Sequence, residues 1–384
     1  MKKMLIVAGR IYGGGAERVL VDLINGLDER EYDITLYTMT KDNFEKSGIT
    51  RSVDYRTVYE SDEDFSGLKR IFKKIRNKIL NIVYEKCSAR AFYKRVFKEK
   101  YDIELAAIEG YTTRIVSGST NPDSAKIAWL HTDLETNHWS ALAFGSDAEE
   151  AAAYKSFDNV ICVTENVRRI LLEKFGDDIK TTVISNPIRK DNILALASQG
   201  ESDIPKSPDT LRIFFLGRFQ DEKGADRLLH AHKLLVEEGN RVELVMVGDG
   251  CDMPKLREYI SENELQSSVH MTGYLDNPYV HMKSADLFVC PSRAEGFGLV
   301  LVEAMILDLP VVSTDCAGPS EILDGGKYGV ITENSVDGIY NGIKQFIDNP
   351  SLLQKYSALS RERREHYGYE RSIERFAQAF EVKK

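Results

Sequence analysis

The sequence predicts an α/β protein of two doubly wound parallel-sheet domains, and three observations carry that expectation. At 384 residues the chain exceeds what one hydrophobic core usually supports, so two domains of roughly 150 to 200 residues are expected. Short apolar runs bounded by Gly, Asn, Asp or Pro alternate with helical periodicities throughout, as parallel strands joined by crossover helices require. Strand signals then stop across "SNPIRKDNILALASQGESDIPKSPD", residues 185–209, which separates two series of runs.

The first series reads "MLIVAG", "DITLYT", "IELAAIEG", "KIAWLHT", "NVICVT" and "TTVISNP". The second reads "LRIFFLGR", "VELVMVGDG", "VHMTGY", "DLFVCPS" and "PVVSTD". The expected domains are 1–187 and 188–365, the second with its first strand at Leu211. Residues 366–384 form a terminal helix with Ile373, Phe376 and Phe380 on one face, expected to pack on the first domain. No repeat or low-complexity tract interrupts this plan.

Composition is that of an ordinary globular protein, neither collagen-like nor disordered. The apolar run in "MKKMLIVAG" is too short for a signal segment or a membrane span and reads as a first buried strand. Cys87, Cys162, Cys251, Cys290 and Cys316 are scattered without metal-ligand or disulfide-framework spacing, so a reducing cytoplasm is expected. Net charge is −9, but Lys69 to Lys100 holds twelve Lys or Arg against Glu85 and Glu99, a local +10 that leaves −19 elsewhere. Such asymmetry points to an acidic partner at one place on the surface.

Ligands in doubly wound domains sit at the carboxyl ends of strands, and four loops there carry candidate chemistry. In "AGRIYGGGAERVL", Gly13, Gly14 and Gly15 precede a helix and let backbone N–H groups approach a phosphate or a sugar oxygen. A glycine turn of this kind also arises for turn geometry alone, and it matches neither the dinucleotide fingerprint nor the P-loop. In "FLGRFQDEKGADRLL", Arg218 and Lys223 bracket a strand-to-helix turn and make a credible diphosphate clamp. The bland alternative is a pair of solvated charges.

In "CPSRAEGFGLVLVEAM", Glu295 precedes a Gly-Phe-Gly turn and Glu303 lies among apolar helix residues. Burying a carboxylate there is costly unless it meets hydroxyls, for which two ribose hydroxyls fit, or a partner Arg. In "KIAWLHTDLE", His131 ends an apolar strand, where a histidine is more often a structural hydrogen-bonder than a catalytic group. Asp62-Glu63-Asp64 matches a DxD metal motif literally but sits in a solvated acidic run, so no metal site is expected.

Arg218 and Lys223, the pair Glu295/Glu303, the first-domain glycine loop and "SNPI" occur in an order that resembles the retaining glycosyltransferases of the Glu-x7-Glu, family 4-like group. The resemblance covers nearly the whole chain and is most specific in the second domain. It implies the GT-B fold, in which two Rossmann-like domains face each other across a cleft. It also implies a hexosyltransferase that uses a nucleoside-diphosphate sugar, with UDP the commonest nucleotide in the family, and needs no metal.

By that resemblance Arg218 and Lys223 neutralise the diphosphate and Glu303 holds the ribose. Glu295, with Gly296, Phe297, Gly298 and Leu299, contacts the sugar, while Gly273, Tyr274 and Leu275 lie near the base. His131 lies by the sugar and its leaving phosphate, and Gly14 and Gly15 face the diphosphate or the acceptor. One departure is Asp308 in "ILDLPVV", where the family commonly has Gly.

Many relatives of this kind extend lipid-linked glycans in bacterial capsule and cell-surface polysaccharide synthesis. The expected acceptor is therefore a glycan or lipid-linked saccharide, with the protein peripheral on the inner face of the cell membrane. Leu68, Ile71, Phe72, Ile75, Ile79, Ile82 and Val83 share a helical face amid Lys and Arg, as on a helix lying on an anionic bilayer. The alternative is an ordinary helix with its apolar face on the core. No nucleic acid is expected, since no reading motif appears. Rival functions are a nucleotide-sugar epimerase on the same fold, a phosphorylase, which would need a far longer chain, and a non-catalytic sugar-nucleotide-binding subunit.

Overall fold

A computed structural model describes the backbone of residues 1–60 and 67–381, and the side chains of 1–60 and 71–381. The Asp62-Glu63-Asp64 stretch lies outside the described residues. The chain forms two compact units, Met1–Ile188 with Tyr369–Lys384, and Arg189–Gly368.

The first unit holds a seven-stranded sheet. Its strands are β1 (Lys2–Ala8), β2 (Tyr32–Thr38), β3 (Asp54–Thr57), β4 (Ile103–Ala106), β5 (Ala125–Leu130), β6 (Asn159–Cys162) and β7 (Thr181–Val183). Their order is β3-β2-β1-β4-β5-β6-β7, all parallel, so the winding reverses between β1 and β4. Met4, Leu5, Ile6 and Val7 are wholly buried, as a central parallel strand covered on both faces requires.

The second unit holds β8 (Leu211–Leu216), β9 (Val242–Val247), β10 (Val269–Gly273), β11 (Leu287–Cys290), β12 (Val311–Thr314) and β13 (Val330–Thr332). The order β10-β9-β8-β11-β12-β13 is again parallel, with its reversal between β8 and β11. Ile213, Phe215, Leu244, Val289 and Val312 pack with Leu228, Ile339 and Phe346 from the covering helices.

Two edge strands, β3 and β13, were not legible as apolar runs: the first reads "DYRT" and the second spans three residues. The segment 185–209, read as a seam, contains the helix Lys190–Ala197, which buries Ile193 and Ala197. The terminal helix Tyr369–Phe380 lies in the first unit, where Phe376 meets Trp129 edge-on at 4.6 Å and the Tyr369 hydroxyl donates to the Asp22 carbonyl at 2.8 Å. Phe376 and Phe380 are buried, so this helix completes the first core with sequence from the far end of the chain.

Asp308 occupies a left-handed turn (φ 61°) before β12, the conformation that favours glycine. Its carboxylate holds Arg361 at 2.7 Å and Arg364 at 2.6 Å, which gives the departure from glycine a structural occupation.

Candidate functional site

In the second unit the strand order reverses between β8 and β11, and doubly wound sheets bind ligands at the carboxyl ends of the strands beside such a reversal. The loop after β8 runs through Arg218 into a short 3-10 turn, Asp221–Lys223, and then the helix Ala225–Glu237. Gly224 joins turn to helix at φ 64°, and a β-carbon there would lie 2.1 Å from the Pro291 carbonyl oxygen. Only glycine allows the two switch-point loops to approach this closely.

The loop after β11 carries Glu295, and Lys223 Nζ lies 2.7 Å from Glu295 Oε2. Both side chains are mostly shielded, at 22% and 15% exposure. Burial pulls the Lys223 ammonium down, but the charge and hydrogen bond of Glu295 outweigh it and hold the lysine above its ordinary value. Lys223 is therefore a cation at neutral pH. Arg218 stands more open, 59% exposed, with Glu222 at 3.7 Å.

After Glu295 the Gly-Phe-Gly turn enters the helix Leu299–Ile306 through Gly298 at φ 93°. Gly296, Phe297 and Gly298 are buried, Leu299 is half-buried, and Glu303 is 1% exposed on the helix. Gly318 N–H donates to the Glu295 carbonyl at 3.0 Å and fixes the backbone of that residue. Gly273, Tyr274 and Leu275 lie at the end of β10, two strands from β8; Gly273 has φ 81°, its carbonyl accepts from Gly248 N–H at 3.0 Å, and Tyr274 is exposed.

Sequence reasoning missed the ties that hold these loops. Arg293 makes a bidentate pair with Asp226, at 2.8 and 2.7 Å, and donates to the Asp221 carbonyl at 2.7 Å. Its own N–H donates to the Glu222 carbonyl at 2.8 Å. Arg227 reaches the Asn334 carbonyl and Oδ1 and the Pro291 carbonyl, while Asn334 Nδ2 donates to the Arg293 carbonyl at 3.1 Å. The loop with Lys223 and the loop with Glu295 are thus bolted together. Asp226 and Arg293 are 67 residues apart, so no local spacing reveals the pair.

In the first unit the reversal lies between β1 and β4. The glycine loop after β1 has Gly13 at φ 107°, and Gly14 is the extended residue before the helix Gly15–Gly26. Ile11 N–H donates to Asp42 Oδ2 at 2.7 Å and anchors this loop. The loop after β4 carries Glu109, 1% exposed, which sequence reasoning also missed. It accepts from His131 N–H at 3.0 Å, from Trp139 Nε1 at 2.9 Å and from the Thr132 hydroxyl.

His131 follows β5, and its Nε2 lies 3.1 Å from the Ala107 carbonyl, which can only accept, so Nε2 carries the proton. Burial, the largest influence, pushes the imidazole below its ordinary value against the opposing charge of Glu109. His131 is a neutral hydrogen-bonding group rather than a cation.

Among the described residues no group of three or more His, Cys, Asp or Glu is arranged to hold a metal ion, and no helix is long and apolar enough to cross a membrane.

Residues 13–192 match the model of Glycosyltransferase Family 4, and residues 201–366 match that of Glycosyl transferases group 1. The chain is built from these two glycosyltransferase domains, and the enzyme class they define is glycosyltransferase. An uncharacterized glycosyltransferase of Methanocaldococcus jannaschii is 30% identical over 47% of this chain and 48% of its own length. The poly(ribitol-phosphate) α-N-acetylglucosaminyltransferase of Staphylococcus aureus is 25% identical over 86% of this chain and 68% of its own length.

Sucrose-phosphate synthase from Thermosynechococcus elongatus superposes with a TM-score of 0.78 at 16% identity, covering 99% of this chain and 98% of that one. Anabaena HepE, solved in complex with UDP and glucose, gives 0.74 at 19% identity, covering 98% and 99%. These likenesses establish the GT-B fold.

Proposed function

We propose that the protein is a retaining hexosyltransferase that moves a sugar from a UDP-sugar to a glycan or lipid-linked saccharide in bacterial cell-surface polysaccharide synthesis, from the cytoplasmic side and without a metal. The observation that carries this reading is the meeting of Lys223 and Glu295, from loops 72 residues apart, at the switch point of the second sheet.

In this reading Glu303 accepts hydrogen bonds from the ribose hydroxyls, and Gly273 to Leu275 border the base. Lys223 and Arg218 face the diphosphate. As the anomeric C–O bond breaks, negative charge grows on the departing phosphate oxygen, and the shielded Lys223 together with the more open Arg218 favours that charge more than the bound substrate's. Glu295 and the turn Gly296–Leu299 hold the hexose while it develops oxocarbenium character. The acceptor hydroxyl attacks from the face the diphosphate leaves, and the phosphate oxygen takes its proton, which retains the anomeric configuration.

His131, neutral and with its Nε2 proton given to the Ala107 carbonyl, lies by the sugar and its leaving phosphate with Nδ1 able to accept from a sugar hydroxyl, and the Gly14–Gly15 backbone faces the diphosphate or the acceptor. The S. aureus relative, named for transfer to poly(ribitol phosphate), and the UDP in the HepE complex support the choice of acceptor class and nucleotide.

The test is a donor screen in EDTA, with UDP- and GDP-sugars and a membrane lipid extract as acceptor, following nucleoside diphosphate release and sugar transfer. Release coupled to transfer from a UDP-hexose is expected. Tight donor binding with no release from any donor would favour a non-catalytic binding subunit.

A further inference from the structure

The helix Gly67–Lys86 packs inside out. Its inward side is largely polar: Arg76 donates to the Val58 carbonyl at 3.2 Å, Asn77 Nδ2 to the Glu60 carbonyl at 2.8 Å, and Lys73 pairs with Glu60. Leu80 is buried on this side, and the Tyr84 ring lies under the Arg114 guanidinium at 4.4 Å. Residues 73, 76, 77, 80 and 84 share one face at helical spacing.

The opposite stripe, at i, i+4, i+7 and i+11, is Ile71, Ile75, Lys78 and Ile82, with Phe72 beside it. Ile71 is 55% exposed, Phe72 68%, Ile75 50% and Ile82 49%; among the described residues these are four of the ten exposed large apolar side chains. A helix that serves only its own domain turns such a stripe inward. A concentrated, exposed one marks an interaction surface.

Charge identifies the partner. Lys74, Lys78 and Lys86 are exposed on the helix, with Glu85 the one exposed acid among its described side chains. Arg90, Lys94 and Arg95 are exposed on the adjoining helix Ala89–Val96, followed by exposed Lys98, Glu99 and Lys100. The partner must be anionic and must also accept Phe and Ile side chains. Nucleic acid backbone meets only the first demand. A bilayer with anionic headgroups over hydrocarbon meets both, and a stripe of roughly 17 Å lying in its plane matches an interfacial helix.

We propose that Ile71, Phe72, Ile75 and Ile82 insert into an anionic membrane surface while Lys74, Lys78 and Lys86 pair with its headgroups. This deepens the proposed function by naming the surface on which a lipid-linked acceptor would be met, but docking itself does not depend on the donor chemistry.

The experiment is flotation of the full chain with vesicles of phosphatidylcholine alone and with about one-third phosphatidylglycerol. The wild type should float with the anionic vesicles, less so at high salt, and stay down with the neutral ones. Phe72→Asp and Ile75→Asp should each cut binding about tenfold or more. Lys74→Ala and Lys78→Ala should each cut it about fivefold.

Because these side chains are exposed, all four variants should melt like the wild type and turn over a water-soluble acceptor unchanged. If the donor screen fails while flotation holds, docking stands and the catalytic reading falls. Wild type that does not float, or Asp variants that float equally, would overturn the inference. So would a wild-type dimer in light scattering that Ile75→Asp dissociates, without vesicle binding, since the stripe would then cover a second copy.

Discussion

In the second unit the switch-point loops meet through charge: Lys223 against Glu295, and Arg293 against Asp226. In the first unit the loops after β4 and β5 meet through one buried carboxylate, Glu109, whose partners are the neutral donors of His131, Thr132 and Trp139. The topology is shared and the chemistry differs. In the proposed function the second unit's loops receive a diphosphate, for which fixed cations are suited, and fixed cations need anionic partners when no ligand is present. A surface that orients hydroxyl groups can be built from neutral donors around a single acceptor.

The largest effect that would sharpen this contrast lies at Lys223. Lys223→Ala should lower turnover by about two to three orders of magnitude, measured as nucleoside diphosphate release, if the ammonium stabilises leaving-group charge. Unchanged turnover would remove Lys223 from the chemistry.

Next come the bolts between the loops. Arg293→Ala and Asp226→Ala should each lower kcat by about ten- to a hundredfold through misplacement of Lys223 and Glu295. Because they act as one pair, the double variant should lose no more than the worse single variant, and independent, additive losses would show they do separate work.

In the first unit Glu109→Gln should lower transfer to the acceptor about tenfold, since an amide oxygen is a weaker acceptor for three donors, while donor affinity by calorimetry stays at the wild-type value. A parallel loss of donor affinity would erase the proposed division of labour. The smallest effect is expected at Asp308→Gly. Relief of the left-handed turn offsets the lost Arg361 and Arg364 pairs, so chemical unfolding should place stability within about 1 kcal/mol of wild type.

The legible parts of the molecule were those fixed by local spacing. Central strands such as β1 and β11 carry continuous apolar runs, and Glu295 and Glu303 declare themselves by standing eight positions apart, with seven residues between them, around a glycine turn. What escaped was set by distant partners or by weak local signal. β3 alternates charge with Tyr55 and Thr57 and gains strand geometry only by pairing with β2. Arg293 looks like any surface arginine until Asp226 is brought beside it, and Glu109 is an unremarked acid until three donors converge on it. The periodicity of Ile71, Ile75 and Ile82 announced an amphipathic helix, but not which side faces its own domain. Lys73, Arg76 and Asn77 decide that by finding Glu60 and Val58.

The central claim, that the second unit holds the nucleotide of the donor, is tested most directly by calorimetric titration of UDP into the wild type, Lys223→Ala, Glu303→Gln and Glu109→Gln. Lys223→Ala and Glu303→Gln should each weaken binding by about tenfold or more, while Glu109→Gln should leave it unchanged. UDP affinity indifferent to both Lys223 and Glu303 would contradict the claim.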